Sequence, residues 1–324
     1  MGAGIACGLD VLGGKAVDPN GDGGSEAGTL DGSGGSDARD EGSEVDLDGG
    51  LEADAFDLDA AQQKCLGVCE AGTCEAGTCK IGCEGTNACL SGVVCPTGVP
   101  CDVRCVGTNA CLTGVDCLAA SSCNIACSGT NACGTGGVDC SGSTCAVACT
   151  GPANPAQQTC TGGVRCDAGR CDLTCVGGSV CANNPVTCDS NVCNIRCGDG
   201  GDDGRQACTG GVRCDARNVC NIACASRDTC VNNPVVAHAG DAATVHCGTR
   251  GSCRAGVEVA APDASISCVG MDSCVNNFIR CDADGGKCTA SCDSTGSDPA
   301  FCCAASSMCS TTTNSCAFTT NGCP

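Results

Sequence analysis

Cysteine is the residue type through which this sequence could do chemistry. The chain has 43 cysteines in 324 residues and only two histidines, His238 and His246. Cysteines can form disulfides, bind metal ions or act as nucleophiles. Structural zinc sites favour cysteines separated by two residues, often completed by histidine, yet no C-x2-C or C-x-C pair occurs here. This cysteine content is instead typical of a disulfide scaffold in an oxidising compartment.

The sequence contains no convincing active site. A cysteine nucleophile needs a free thiolate and a base, whereas each cysteine here is expected to be bridged. Acids such as Asp102, Asp116, Asp139 and Asp172 could supply the carboxylate pair of a glycoside hydrolase, but surface acids usually serve solubility. We therefore predict no catalytic, cofactor-binding or metal-binding residues, and we expect that the protein is not an enzyme.

A repeated element must position the cysteines. The segment C-x-[VIL]-x-C recurs from CDVRC at 101–105 to CTASC at 288–292, with two degenerate copies between them. Cysteine and aliphatic residues alternate with variable ones, which predicts a strand with one buried face. The central residues are 21–27 positions apart and are Val103, Ile125, Val147, Leu173, Ile195, Ile222, Val245, Ile266 and Ala290.

Each repeat also contains two shorter runs, separated by glycines and Asn-Pro pairs. One is G-V-x-C or N-P-V-x-C, and the other ends as GTNAC at 85–89, 107–111 and 129–133. Three short strands in about 22 residues predict an all-β fold, a parallel β-helix of about ten disulfide-rich coils. The alternative is a string of small disulfide loops. Asn87, Asn109 and Asn131 either stack as a hydrogen-bonded ladder or reflect turn preference.

Two repeats that lack two of their four cysteines indicate which cysteines form disulfides with each other. Their third and fourth cysteine positions are Ala237 and Ala243 in one coil, and Val259 and Ala264 in the next. Partners in a bridge should disappear together, which favours pairing within a coil. Bridges between stacked coils stay open as an alternative, because the two deficient coils are adjacent. The candidate disulfide cysteines are Cys83, Cys89, Cys95, Cys101, Cys105, Cys111, Cys117 and Cys123, paired in that order.

The chain divides into three predicted regions. Residues 1–64 hold fifteen acidic and three basic residues among many glycines, which predicts a disordered tether. Residues 65–291 form the solenoid, in which 65–79 is a compressed extra coil, and 292–324 form a Cys/Thr-rich cap. The run D-P-N-G-D-G at 18–23 begins like a calcium loop but has Thr29 where an EF-hand needs Glu.

Cys7 stands apart, 58 residues before the next cysteine. The preceding G-I-A resembles the end of a bacterial lipoprotein signal, although Gly4 replaces the usual Leu and no charged or apolar region precedes it. The resemblance implies that Cys7 carries lipid and that a signal sequence is missing from this gene model. The protein would then be lipid-anchored at the outer-membrane surface or extracellular.

Two further resemblances concern architecture. Parallel β-helices include polysaccharide lyases, and cysteine-rich insect antifreeze proteins are disulfide-braced solenoids. The polysaccharide lyases use clustered acids with Arg or Lys. The arginines of this chain look scattered along the sequence, at Arg104, Arg165, Arg196 and Arg213. The insect antifreeze proteins use ladders of repeated Thr-x-Thr, which this chain lacks. No functional residue carries over from either group.

The expected function is therefore that of a non-catalytic structural or interaction protein displayed at a bacterial cell surface, as a spacer, adhesin or envelope component. We expect a monomer without cofactor that meets an unknown surface or extracellular ligand. The net charge of −21 argues against binding nucleic acid or an anionic membrane surface. The alternatives are a polysaccharide-binding or polysaccharide-cleaving β-helix, and metal sequestration.

Overall fold

Parallel strands stacked at one-repeat intervals form the body of this protein. The computed structural model describes residues 53–151, 158–199, 206–269, 273–274, 279–284, 286–293, 300–303, 308–311 and 317–319. They are nearly all β and form a disulfide-rich β-solenoid of about nine turns. The predicted fold class, the parallel β-helix, is thereby confirmed.

Within the described residues, one helix precedes nineteen strands. The helix is α1 (Ala53–Leu66). The strands of the first half are β1 (Thr73–Glu75), β2 (Thr78–Glu84), β3 (Val93–Val94), β4 (Pro100–Val106), β5 (Val115–Cys117), β6 (Ser122–Ser128), β7 (Val138–Thr150), β8 (Val164–Val176), β9 (Val186–Cys197) and β10 (Val212–Cys224). Those of the second half are β11 (Val235–Ala239), β12 (Ala242–Cys247), β13 (Val257–Ala260), β14 (Asp263–Val269), β15 (Ile279–Asp282), β16 (Lys287–Asp293), β17 (Ala300–Cys303), β18 (Met308–Thr311) and β19 (Ala317–Thr319).

Equivalent residues of successive repeats lie side by side in register. The C-x-[VIL]-x-C strand of each coil pairs in parallel with the next, so that Val103 lies between Ile81 and Ile125. The shorter V-x-C strands form a second parallel stack. Because side chains alternate along a strand, every inward position builds a column through the core. The aliphatic column from Ile81 to Ala290 is at most 3 % exposed.

The third run of each repeat is a turn and not a strand, so the prediction of three strands per coil is wrong. In the GTNAC segments Asn87, Asn109 and Asn131 have φ of 61°, 58° and 57°, in the left-handed region that no strand adopts. The turns nevertheless stack, because the Asn87 N–H donates to the Thr108 carbonyl at 2.8 Å. The backbone ladder between coils therefore continues through the turns.

The described part of the chain begins with a helix and an antiparallel hairpin. Helix α1 includes residues 53–64, which the sequence analysis assigned to a disordered tether. The alanines and glutamines of this segment favour a helix. Strands β1 and β2 pair in antiparallel fashion. The Gln62 amide donates to the Cys74 carbonyl at 2.9 Å and accepts from the Gly77 N–H at 2.7 Å. The segment 65–79 is thus a hairpin docked on a helix and not a compressed coil.

Strand pairing continues into the region predicted to be a separate cap. Strands β17 and β19 extend the V-x-C stack, and β18 extends the other one. Within the described residues, no helix is long and apolar enough to span a membrane.

Candidate functional site

The candidate disulfide cysteines pair within their coils. The structure joins Cys83 to Cys89, Cys95 to Cys101, Cys105 to Cys111 and Cys117 to Cys123. Every cysteine from Cys65 to Cys288 belongs to one of eighteen bridges, whose partners are 5–11 residues apart. None of these eighteen bridges joins one stacked coil to another.

Sixteen of the bridges stack in two columns. The turn column links the last cysteine of each long strand to the cysteine that ends the following turn, in nine successive coils from Cys83–Cys89 to Cys268–Cys274. The strand column links the cysteine of each V-x-C strand to the first cysteine of the following long strand, in seven coils from Cys95–Cys101 to Cys281–Cys288.

Apolar pairs replace the bridge in two coils of the strand column. Ala237 lies in register with Cys214, and Ala243 lies in register with Cys220. Val259 and Ala264 occupy the same positions one coil further on. All four replacements are at most 1 % exposed. The positions that lose cysteine together are therefore those that would pair with each other.

The second cysteine of every turn-column bridge has a left-handed backbone. The φ values of these nine residues lie between 47° and 56°. This region costs an L-residue about 1–2 kcal/mol relative to a right-handed conformation. The strand-column cysteines have no such φ. The residues concerned are Cys89, Cys111, Cys133, Cys160, Cys181, Cys208, Cys230, Cys253 and Cys274.

Polar side chains form ladders along the outer surface. The Asn109 amide donates to the Asn87 oxygen at 2.9 Å, and the Asn131 amide donates to the Asn109 oxygen at 3.1 Å. These asparagines thus satisfy both explanations offered by the sequence, since they combine a turn backbone with a ladder. A second ladder runs from Asn221 through Asn194 to Asp172, with distances of 2.9 and 2.7 Å.

The acids singled out in the sequence do not all come together. Asp116 and Asp139 are register neighbours in adjacent coils. Asp102 is separated from Asp172 by the coils of Asn124 and Ala146. Asp172 is partnered, because the Arg170 guanidinium donates to both of its oxygens at 2.8 and 3.1 Å. That hydrogen bond, with a smaller contribution from Asn194, lowers the pKa of the Asp172 carboxyl.

A mixed acidic and basic cluster lies on the bend between the two strand stacks. Arg213 donates to both oxygens of Asp215 at 2.6 and 3.2 Å, and His238 Nδ1 lies 2.9 Å from the same carboxylate. Asp189 and Arg217 line the same groove of about 330 Å³. The sequence analysis missed this cluster. The repeat spacing could have revealed it, because His238 follows Asp215 by one repeat length and residues at that spacing lie side by side in adjacent coils.

A second groove of about 350 Å³ lies on the outer face of the long strands. Arg196 and His246 occupy the same row of that face on either side of the small Ala223. Partial burial lowers the pKa of the His246 imidazole. The groove therefore offers a guanidinium and an imidazole beside the ladder of Asn194 and Asn221.

Groups of three cysteine sulfurs from neighbouring coils lie within 4.8 Å of one another, for example those of Cys83, Cys105 and Cys111. Each of these sulfurs is already bonded in a bridge, so the oxidised protein presents no thiolate there for a metal ion. Cys7, the lipidation candidate, and the run at 18–23 lie outside the described residues.

The chain matches no protein-family model, and no significant match to it was found among the curated proteins or among the solved structures.

Proposed function

We propose that this chain is a non-catalytic structural or interaction protein displayed at a bacterial cell surface, where it acts as a spacer, adhesin or envelope component. The observation that carries the proposal is the complete bridging of the cysteines from Cys65 to Cys288. Many disulfides fit an oxidising extracellular setting. A scaffold stapled in every coil resists local opening, which suits a protein that holds a ligand-binding surface away from a membrane.

A lipid on Cys7 would attach the solenoid to the membrane, and the acidic segment after it would serve as the spacer. The parity of the cysteines supports a separate role for Cys7, since the 42 cysteines from Cys65 onward are an even number. The proposed protein contacts the membrane only through this lipid. Its ligand is a surface or extracellular molecule, and it binds as a monomer.

Intact mass of protein purified from its native envelope tests this function. Thiols are alkylated once before and once after reduction. We expect that reduction alone exposes the later cysteines, that Cys7 carries a lipid mass, and that a Cys7→Ser variant leaves the membrane fraction. Cytoplasmic protein with many thiols reactive before reduction, or with bound metal, would overturn the proposal.

The cluster around Asp215 favours polysaccharide binding or cleavage as a second candidate function. Carboxylates beside guanidinium and imidazole groups can supply the acid and base that cleavage of a sugar chain needs. Calorimetric titration and viscometry with neutral and acidic polysaccharides test it, and Asp215→Asn and His238→Ala should abolish any signal. The matched control is Asp116→Asn, an outward acid of another coil. Equal loss in the control, or no signal in the parent protein, would remove this candidate.

A further inference from the structure

The bridges of the turn column lie close enough to one another to exchange partners. Three sulfur atoms, those of Cys83, Cys105 and Cys111, lie within 4.8 Å of one another although Cys83 belongs to the neighbouring bridge. The arrangement recurs in the next two coils, at Cys105, Cys127 and Cys133 and at Cys127, Cys149 and Cys160. Each of these three bridges therefore has the first sulfur of the preceding bridge near both of its own sulfurs.

We propose that the turn column passes a thiol from coil to coil by intramolecular thiol–disulfide exchange. Exchange proceeds by attack of a thiolate on a disulfide sulfur, so it needs a thiolate that can approach that sulfur in line with the S–S bond. The Cys83 thiolate attacks the Cys111 sulfur, the Cys83–Cys111 bond forms, and the Cys105–Cys111 bond breaks. The electron pair of the broken bond leaves on Cys105, which becomes the new thiolate. Each step consumes one thiolate and releases one, so no net oxidation or reduction occurs.

The released Cys105 thiolate stands in the same position relative to the next bridge. It lies within 4.8 Å of the sulfurs of Cys127 and Cys133. Attack on Cys133 would free Cys127, which in turn lies beside the bridge of Cys149 and Cys160. The column thus repeats one reaction, and its product is a set of bridges that staple neighbouring coils together.

The first bridge of the column is the one that an external thiol can reach. Cys89 is only partly buried, whereas Cys83, Cys105 and Cys111 are at most 1 % exposed. A low-molecular-weight thiolate that attacks the Cys89 sulfur forms a mixed disulfide there and releases the Cys83 thiolate. The leaving thiolate is then held in the interior, beside its next acceptor.

The strand column provides an internal contrast, because its path is interrupted. Beyond Cys214–Cys220 the next two coils hold Ala237 with Ala243 and then Val259 with Ala264, which contain no sulfur. The turn column keeps its bridge in those same coils. A thiolate at Cys214 therefore has no bridge to attack in the next coil of the strand column, whereas the turn column keeps its bridges through nine successive coils.

Thiol mapping in the full chain tests the proposal. In a Cys7→Ser, Cys89→Ser variant, Cys83 is left without its partner. The folded protein is held at pH 8.5, alkylated at intervals, and digested without reduction for mass spectrometry, with Cys7→Ser alone as background. Each sample is acid-quenched and unfolded before alkylation, because these thiols are buried in the folded protein. We expect label at Cys83 to decline within hours as label at Cys105 and Cys127 rises, together with a Cys83–Cys111 cross-linked peptide.

The matched control leaves a thiol with no acceptor in its own column. Cys188→Ala, Cys193→Ala and Cys220→Ser, added to Cys7→Ser, isolate Cys214 between coils that lack bridges. We expect its label to stay on Cys214. Label confined to Cys83 in the test variant would overturn the proposal. So would equal spreading in both variants, because that outcome means reshuffling through the unfolded chain.

A variant that does not fold, judged by circular dichroism, is replaced by the Cys7→Ser protein treated with limiting glutathione. The expected products are a mixed disulfide at Cys89 and displaced thiols confined to the turn column. Mixed disulfides distributed over both columns, or no displacement beyond Cys83, would refute the relay.

Discussion

The left-handed cysteines allow a test that separates backbone strain from the effect of the bridge. Two bridges from the same region, one in each column, are removed in separate variants. In the turn column Cys224→Ala is combined with either Cys230→Ala or Cys230→Gly. In the strand column Cys214→Ala is combined with either Cys220→Ala or Cys220→Gly. Both second positions are fully buried, but only Cys230 has a positive φ, of 54°.

The comparison rests on what the Ala-to-Gly step costs at each position. At both sites the step removes one buried methyl group and adds conformational freedom to the unfolded chain, so these terms largely cancel. At Cys230 it also relieves about 1–2 kcal/mol of left-handed strain that Cys220 does not have. We therefore expect the step to destabilise position 230 less than position 220 by about 1–2 kcal/mol.

Guanidinium unfolding of the four variants, with the other bridges intact, measures the two differences. Thiol titration of each variant before unfolding confirms that no new pairing has formed. Equal costs of glycine at the two positions, or a larger cost at 230, would refute the assignment of strain to the turn column.

Three further results are expected from denaturant unfolding. Gly136→Ala should prevent native stacking, because its Cβ would lie 1.6 Å from the Thr113 carbonyl oxygen, whereas Gly82→Ala, with nothing within 4 Å, should be neutral. Asn109→Ala should cost about 1–2 kcal/mol, and Asn109→Gly clearly less, because glycine keeps the turn backbone while both variants lose the ladder. Burial lowers the folded pKa of His246, so stability should be full above pH 6.5 and decline as the pH falls below it, and His246→Gln should flatten that dependence. A steeper or unchanged dependence in the His246 variant would contradict the assignment.

The strands, their register and the pairing logic could be derived from the sequence because each depends on side-chain type at a fixed interval. A buried column must place like residues at like positions, so Val103, Ile125 and Val147 had to align. The loss of cysteine at Ala237 and Ala243 together reflected a bridge that closes within one coil. Such arguments need no knowledge of backbone angles.

The features that the sequence analysis missed depend on backbone conformation or on contacts between coils. The left-handed φ of Asn87 and Cys89 makes the predicted third strand a stacked turn, and residue type alone does not reveal that conformation. Helix α1 was hidden because its neighbours are rich in glycine and acid. The cluster of Asp215 and His238 becomes visible only when residues one coil apart are compared.

If the protein is exported as proposed, the order in which its cysteines emerge decides which of them can meet first. From Cys83 to Cys288 every bridge joins a cysteine to the very next one along the chain, so a chain oxidised as it emerges meets its correct partner first. Two cysteines this close along the chain meet within about 10–100 ns, whereas the oxidation that joins them takes seconds or longer, so a thiol meets its neighbour many times before the bond forms. The four cysteines from Cys65 to Cys79 differ, since Cys65–Cys74 and Cys69–Cys79 interleave. Under the proposed export, bridge formation should therefore need a disulfide isomerase for residues 65–79 and little help from Cys83 to Cys288.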